Sequence, residues 1–287
     1  MSEAARPSPL VTVAELAARL NSPDLLIVDC RFDLANPGWG QREHAAGHIP
    51  GAVYAHLDTA LSAPRTAGSG RHPLPSPAAF AAQLGGWGYT PTTRVVAYDQ
   101  GSGAVAARLW WMLRSCGHDA VQVLDGGYAG WCGAGLPCEA GVPQGRVTVV
   151  AERQFVGALD TAAVVAGLAS GTIRLVDARA ADRYAGRNET IDPVAGHVPG
   201  AVNHPFARNL GADAHFLPPA ELRSQWQETL AGASAERIVN MCGSGVTGCH
   251  NLLALELAGY PGAKLYPGSF SEWIADPARP VATGAAP

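Results

Sequence analysis

Leu25-Leu-Ile-Val-Asp-Cys-Arg31 recurs 148 residues later as Ile173-Arg-Leu-Val-Asp-Ala-Arg179. Both are short apolar runs ending in Asp-x-Arg, the pattern of a strand buried on both faces. Four further pairs keep the same order. Upstream, Thr12-Val-Ala-Glu-Leu-Ala-Ala-Arg-Leu20 matches Asp160-Thr-Ala-Ala-Val-Val-Ala-Gly-Leu168, each an N-cap residue followed by helical apolar spacing. Downstream, Gly47-His-Ile-Pro-Gly-Ala-Val53 matches Gly196-His-Val-Pro-Gly-Ala-Val202. Arg94-Val-Val-Ala-Tyr-Asp99 matches Arg237-Ile-Val-Asn-Met-Cys242, and Val123-Leu-Asp-Gly-Gly-Tyr-Ala-Gly-Trp131 matches Leu265-Tyr-Pro-Gly-Ser-Phe-Ser-Glu-Trp273. In chain order the separations are 148, 148, 149, 143 and 142 residues. A slowly drifting offset marks a tandem duplication, and the unit is far too long for a solenoid repeat. Short apolar strands alternating with helical stretches predict, in each copy, a parallel α/β sheet with helices on both faces. The boundaries expected are a first domain over 1–140, a linker over 141–152 and a second domain over 153–287. Gly133–Gly145, rich in Gly and Pro, marks the transition between them.

Composition fits this reading and narrows the function. With 287 residues, 47% hydrophobic and 15% charged, the chain has ample core for two domains. Twenty basic against 24 acidic residues, net −4, leave no basic footprint for nucleic acid. Met1–Pro9 has no apolar signal core, and the greasiest stretch, Ala104–Leu113, is interrupted by Arg108, so no membrane association and a cytoplasmic location are expected. Six cysteines (Cys30, Cys116, Cys132, Cys138, Cys242, Cys249) are too sparse for a disulfide scaffold, and none forms a C-x-x-C pair. Most are expected to be buried and inert. His44 and His48 have helical metal spacing, but Gly47 and Pro50 argue against a helix there. Neither a metal nor a cofactor is expected.

The duplicated strand ends differ at one telling position. The second copy reads Cys242-Gly-Ser-Gly-Val-Thr-Gly-Cys-His250 ahead of a helical pattern over Asn251–Ala258. Closely spaced glycines let successive backbone N–H groups converge on one centre, and the following helix adds its N-terminal dipole. A cysteine there sits in an electropositive cradle that favours an anionic sulfur. The first copy keeps the frame, Tyr98-Asp-Gln-Gly-Ser-Gly-Ala104, but has Asp99 in place of the thiol. A carboxylate cannot carry sulfur, so that half is expected to be catalytically silent. Cys249 reads as a buried helix residue. His48 and His197, present in both copies, read as structural hydrogen-bonders, as Arg31 and Arg179 read as fold-holding ion pairs.

On these motifs the chain resembles the two-domain sulfurtransferases of the rhodanese superfamily over essentially its whole length. The Gly-His-Ile/Val-Pro-Gly-Ala segments at 47–52 and 196–201 are the family's recurring motif. The uncharged loop at 242–247 resembles the 3-mercaptopyruvate branch, whereas thiosulfate-using relatives usually carry basic residues within it. The resemblance implies a two-step transfer: Cys242 takes the donor's sulfur as a persulfide, pyruvate leaves, and a thiol (small, or on a reduced thioredoxin-like protein) or cyanide removes the sulfur. Gly243, Ser244, Gly245, Val246 and Thr247 would hold the persulfide through backbone N–H groups. A donor carboxylate calls for arginine. Arg183, in the Arg-Tyr-x-Gly context the family uses, is the first candidate, and Arg187, in a segment shorter than the family's, is the second. The resemblance also implies a Ser–His–Asp relay of Ser244 with His72 and Asp58. The alternatives are a thiosulfate:cyanide sulfurtransferase, a non-catalytic scaffold, and a Cys-dependent phosphatase. The last needs an arginine closing a C-x5-R loop, where this chain has Gly248.

Overall fold

The computed structural model describes residues 8–141 and 147–287. Residues 142–146 of the expected linker and 1–7 of the N-terminal stretch lie outside them. The chain divides into two compact units, residues up to Leu61 with Pro75–Val156, and Ser62–Leu74 with Gly157–Pro287. The stretch Ser62–Leu74 therefore joins the second unit although it precedes most of the first in sequence.

Both units are all-parallel sheets with α-helical crossovers. In the first, β1 (Leu10–Val11), β2 (Leu25–Asp29), β3 (Val53–Tyr54), β4 (Arg94–Tyr98) and β5 (Val121–Leu124) lie in the order β1-β5-β4-β2-β3. Its helices are α1 (Val13–Ala17), α2 (Trp39–Ala46), α3 (Pro77–Gly86), α4 (Ala106–Ser115) and α5 (Gly127–Gly133). In the second, β6 (Arg174–Asp177), β7 (Val202–Asn203), β8 (Ile238–Met241) and β9 (Lys264–Leu265) lie in the order β7-β6-β8-β9. Its helices are α6 (Thr161–Ala169), α7 (Ala181–Tyr184), α8 (Pro219–Leu230), α9 (Thr247–Leu257) and α10 (Ser269–Trp273). The paired segments occupy equivalent strands, and where β1 pairs with β5 in the first unit, a single parallel bridge Ala158↔Leu265 remains in the second.

The recurring motifs are explained by one clamp built twice. The Arg31 guanidinium donates to both Asp29 oxygens and, from Nη2, to the Gly47 carbonyl at 2.7 Å. Arg179 does the same with Asp177 and with Gly196, the latter at 2.8 Å. Each guanidinium lies 3.9 Å from a ring centre, of Tyr128 in one copy and Phe270 in the other. One side chain thus ties a strand end, the Gly-His segment and the helix after the last strand. His48 and His197 direct Nδ1 to the carbonyls of His44 and Tyr184 at 2.7 and 2.9 Å. The helix α2 does run through His44, but it ends at Ala46, so His48 lies beyond it and stacks back on His44.

The helix after the cysteine loop begins at Thr247, ahead of the helical pattern read over Asn251–Ala258, and takes in Cys249 as expected, because the loop turns directly into it. One expectation needs correction: of the six cysteines only Cys30, Cys242 and Cys249 are buried, while Cys116 is half-buried and Cys132 and Cys138 are exposed.

Directly after β7, His204 is fully buried, stacked on Trp226 at 3.9 Å, with Nδ1 at 2.7 Å from the Thr229 hydroxyl and Nε2 at 3.2 Å from Asn209 Oδ1. Burial, reinforced by Arg208, pulls its pKa down to about 4. A depressed folded-state value means the neutral form stabilises the fold above the unfolded value, about 6.5, and that this contribution is lost as pH falls toward 4. The loss is on the order of 3 kcal/mol. We predict that urea unfolding midpoints fall between pH 6.5 and 4.5 in the native chain, and that His204→Phe flattens this slope. An unchanged slope in the variant would contradict the assignment.

Candidate active site

The site grows from the carboxyl end of β8. Gly243–Val246 form the turn between Cys242 and α9, and Cys242 is 3% exposed at its base. The Ser244 N–H points at Cys242 Sγ at 3.4 Å. The Cys242 N–H donates to Ser269 Oγ at 3.1 Å, whose hydroxyl donates to the Tyr266 carbonyl at 2.9 Å. From α10, the N–H groups of Phe270 and Ser271 donate to the carbonyls of Cys242 and Gly243 at 3.0 and 2.9 Å. The loop is therefore pinned from outside, with the Ser244 N–H directed at the sulfur. Gly245 has φ +76°, and a Cβ there would stand 2.4 Å from the Pro267 carbonyl oxygen, so only glycine fits.

The first unit shows what this turn does. There the Asp99 carboxylate accepts N–H bonds from Gly101, Gly103, Val105 and Ala106 at 3.0, 2.9, 2.8 and 3.2 Å. Four backbone donors on one carboxylate demonstrate an anion cradle made without any cationic side chain. The second copy keeps the order of strand, turn and helix, with four turn residues instead of six, and has a thiol in place of the carboxylate.

Two further groups reach the loop within the second unit. His72 Nδ1 lies 2.8 Å from Ser244 Oγ, and both side chains are buried. The segment carrying His72 is held by the Arg71 N–H donating to Ser271 Oγ at 2.9 Å, and Gly70 packs so closely that a Cβ would meet the Gly268 carbonyl at 2.5 Å. Arg183, on α7, grips Glu189 through Nε and Nη2 at 2.9–3.1 Å and Asp192 through Nη2 at 3.0 Å. The other Asp192 oxygen accepts from Arg71 Nη1. Burial opposes ionisation of Glu189, but Arg183 and the N–H groups of Asp192 and Ile191 prevail and hold its carboxyl below the usual range. Arg179 Nη1 stands 3.6 Å from Glu189, joining the clamp of the fold to this cluster. Three guanidinium groups thus face the carboxylates of Asp177, Glu189 and Asp192.

Arg71 was not singled out by sequence reasoning, nor were Asp192 and Glu189. A Cβ on Gly243 would stand 2.7 Å from Arg71 Nη2 and 3.8 Å from Arg183 Nη2, so both guanidinium groups flank the residue next to Cys242. Arg71 Nε is buried and without an acceptor among the described residues. The signal was adjacency to His72 in the sequence; the partner lies 121 residues away. A cavity of about 260 Å³ opens beside Arg71 and Asp192, lined also by Arg65, Ser69, Ile191 and Ser271. Arg187 is exposed, beside Asp182. Asp58 belongs to the first unit, where its N–H donates to His56 Nδ1 at 3.1 Å. Gly248 is buried, 3.1 Å from Leu265 by its projected Cβ, with no room for a phosphate-gripping arginine.

Gly245→Ala must hold an L-residue at positive φ, about 1–2 kcal/mol, and push against a backbone oxygen. We predict a stability loss above about 2 kcal/mol, whereas Gly133→Ala, with open space around it, changes stability by less than about 0.5 kcal/mol. Equal effects in urea denaturation would contradict this reading of the loop.

Comparison with known proteins agrees with the geometry. The rhodanese-like domain family matches residues 12–134 and 160–276. A protein of Pseudomonas aeruginosa named a probable 3-mercaptopyruvate sulfurtransferase is 50% identical over 278 residues, 96% of this chain and 98% of its own. One of Mycobacterium tuberculosis, provisionally named a thiosulfate sulfurtransferase, is 40% identical over 287 residues, 98% of this chain and 99% of its own. The solved structure of a 3-mercaptopyruvate sulfurtransferase from Leishmania major superposes with a TM-score of 0.83 at 32% identity, covering 93% of this chain and 74% of that one. The chain belongs to the rhodanese family and carries two tandem rhodanese-like domains, of which the second holds the cysteine in the anion cradle.

Proposed function

We propose that this protein is a sulfurtransferase that moves a sulfane sulfur from 3-mercaptopyruvate, through a Cys242 persulfide, to a thiol or cyanide acceptor. The observation that carries the reading is the Asp99 carboxylate held by four loop N–H groups in the silent copy. The shorter turn around Cys242, whose Ser244 N–H already points at the sulfur, would offer backbone donors to an anionic persulfide in the same way. In the first step the Cys242 thiolate attacks the donor's sulfur. The donor's C–S bond breaks, its electron pair passes to the enolate of pyruvate, and a proton follows. Ser244, hydrogen-bonded to His72, is placed to relay that proton. Asp58 is assigned as the relay's carboxylate on sequence resemblance alone. In the second step an acceptor thiolate or cyanide attacks the outer sulfur and Cys242 leaves as thiolate. Small thiols and reduced thioredoxin-like proteins have the required chemistry, and six free cysteines suit a reducing cytoplasm.

The donor's carboxylate is assigned to Arg183, with Arg71 beside it. Their existing partners, Glu189 and Asp192, hold both guanidinium groups in place before a donor arrives. Arg187, exposed, is retained as an outer contact. A thiosulfate reading is favoured by one observation: Arg71 supplies, from outside the loop, the cationic charge that the loop itself lacks. No described helix is long and apolar enough to cross a membrane.

Parallel steady-state assays separate the donors. The proposal predicts a higher kcat/KM for 3-mercaptopyruvate than for thiosulfate; the reverse order would replace it with the thiosulfate reading. Arg183→Ala and Arg71→Ala are each expected to raise KM for mercaptopyruvate about tenfold or more, ~1.4 kcal/mol. An unchanged KM would remove that arginine from the donor site.

A further inference from the structure

The silent unit holds two thiols that nothing in the mechanism uses. Cys132 and Cys138 are both exposed, and their sulfurs lie 3.7 Å apart. The pair is held from both sides: the Trp131 indole N–H donates to the Pro137 carbonyl at 2.8 Å, and Glu139 exchanges two backbone hydrogen bonds with His48 at 2.8 and 2.9 Å. The Tyr128 hydroxyl lies against both sulfurs.

The duplication supplies the control. In the second unit Trp273 donates to the Pro280 carbonyl, also at 2.8 Å, and His197 forms the matching bridge with Ala282. By that register Cys132 corresponds to Ile274 and Cys138 to Val281, two aliphatic residues packed on the second core. The fold therefore asks only for apolar side chains at these places. Two thiols, set at a distance that a rotation about their side chains closes to the roughly 2 Å of a disulfide, exceed that requirement.

We propose that Cys132 and Cys138 form a dithiol site that accepts sulfane sulfur from a hydropersulfide and releases it as hydrogen sulfide. The proposal rests on the sulfurtransferase reading for its physiological sulfur source, a persulfide such as that of Cys242 in another copy of the chain. One thiolate of the pair attacks the outer sulfur of R–S–SH, the S–S bond breaks, and R–S⁻ leaves. The second thiolate then attacks the protein-bound sulfur of the new persulfide, closes the Cys132–Cys138 disulfide and expels hydrosulfide. The two thiols lose two electrons and the sulfane sulfur gains them; the expelled hydrosulfide keeps the hydropersulfide's hydrogen and takes one thiol proton to become hydrogen sulfide, and the other thiol proton goes to R–S⁻. Neither step requires another oxidant.

The test uses the full-length Cys242→Ser chain, fully reduced, with inorganic polysulfide as the probe. Expected are sulfide release, an intact mass lower by two hydrogens, and one peptide pair joined through Cys132 and Cys138. Adding Cys132→Ser or Cys138→Ser should lower the released sulfide about tenfold or more and abolish the cross-link. Both thiols remaining open to alkylation, a disulfide joining two chains, or sulfide release indifferent to either substitution would each overturn the proposal. Because Cys242 is absent from the probe protein, such a failure leaves the catalytic assignment standing. A failed assignment would instead show as no mercaptopyruvate turnover in the native chain while the pair still closes.

Discussion

The second unit depends on the buried pair of Asp177 and Arg179. Two charges at the end of a strand are costly to bury, and they are tolerated because the carboxylate and the Nε–Nη2 edge of the guanidinium are hydrogen-bonded while Nη1 faces Glu189 at 3.6 Å. The carboxylate takes two hydrogen bonds from Nε and one from Nη2, Nη2 also reaches the Gly196 carbonyl, and the flat face rests on Phe270. Phe270 in turn donates its N–H to the Cys242 carbonyl, and Arg179 faces Glu189, which anchors Arg183. A single guanidinium thus connects the fold to both sides of the reactive loop. Removing one partner of such a pair costs about 3–5 kcal/mol, and here the geometry of the loop would go with it.

At the matching strand ends one copy carries a thiol, Cys242, and the other a carboxylate, Asp99. Both copies retain the clamp, the Gly-His segment and the turn, since each unit needs them to fold. In the first copy the Asp99 carboxylate fills the cradle and takes up its backbone donors. In the proposed function the second copy's turn serves instead an anion that comes and goes. Cationic charge was placed outside the loop, on Arg71 and Arg183, where carboxylates hold it in position.

The repeated motifs were legible because each is a local requirement of the clamp: Asp-x-Arg spans one strand end, and Gly-His-x-Pro-Gly supplies its second acceptor. Cys242 was legible for the same reason, standing where a strand meets a Gly-rich turn. The membership of Ser62–Leu74 in the second unit was not, because it depends on Gly70 and Arg71 meeting residues some 200 positions away. Asp192 and Glu189 escaped notice because a carboxylate in a surface-like segment reads as solvated until the arginines around it are seen. The exposure of Cys132 and Cys138 ran against the usual burial of cysteine, and only alignment with Ile274 and Val281 shows that the fold does not need sulfur there.

The central claim is that the second cradle carries sulfur on Cys242. Intact-mass and peptide analysis after exposure to 3-mercaptopyruvate without an acceptor tests it most directly. The account predicts one added sulfur atom on the Cys242 peptide, removed by cyanide as thiocyanate, and none in Cys242→Ser. A native chain left unmodified, or a Cys242→Ser chain that gains the same sulfur and still forms thiocyanate, would contradict it.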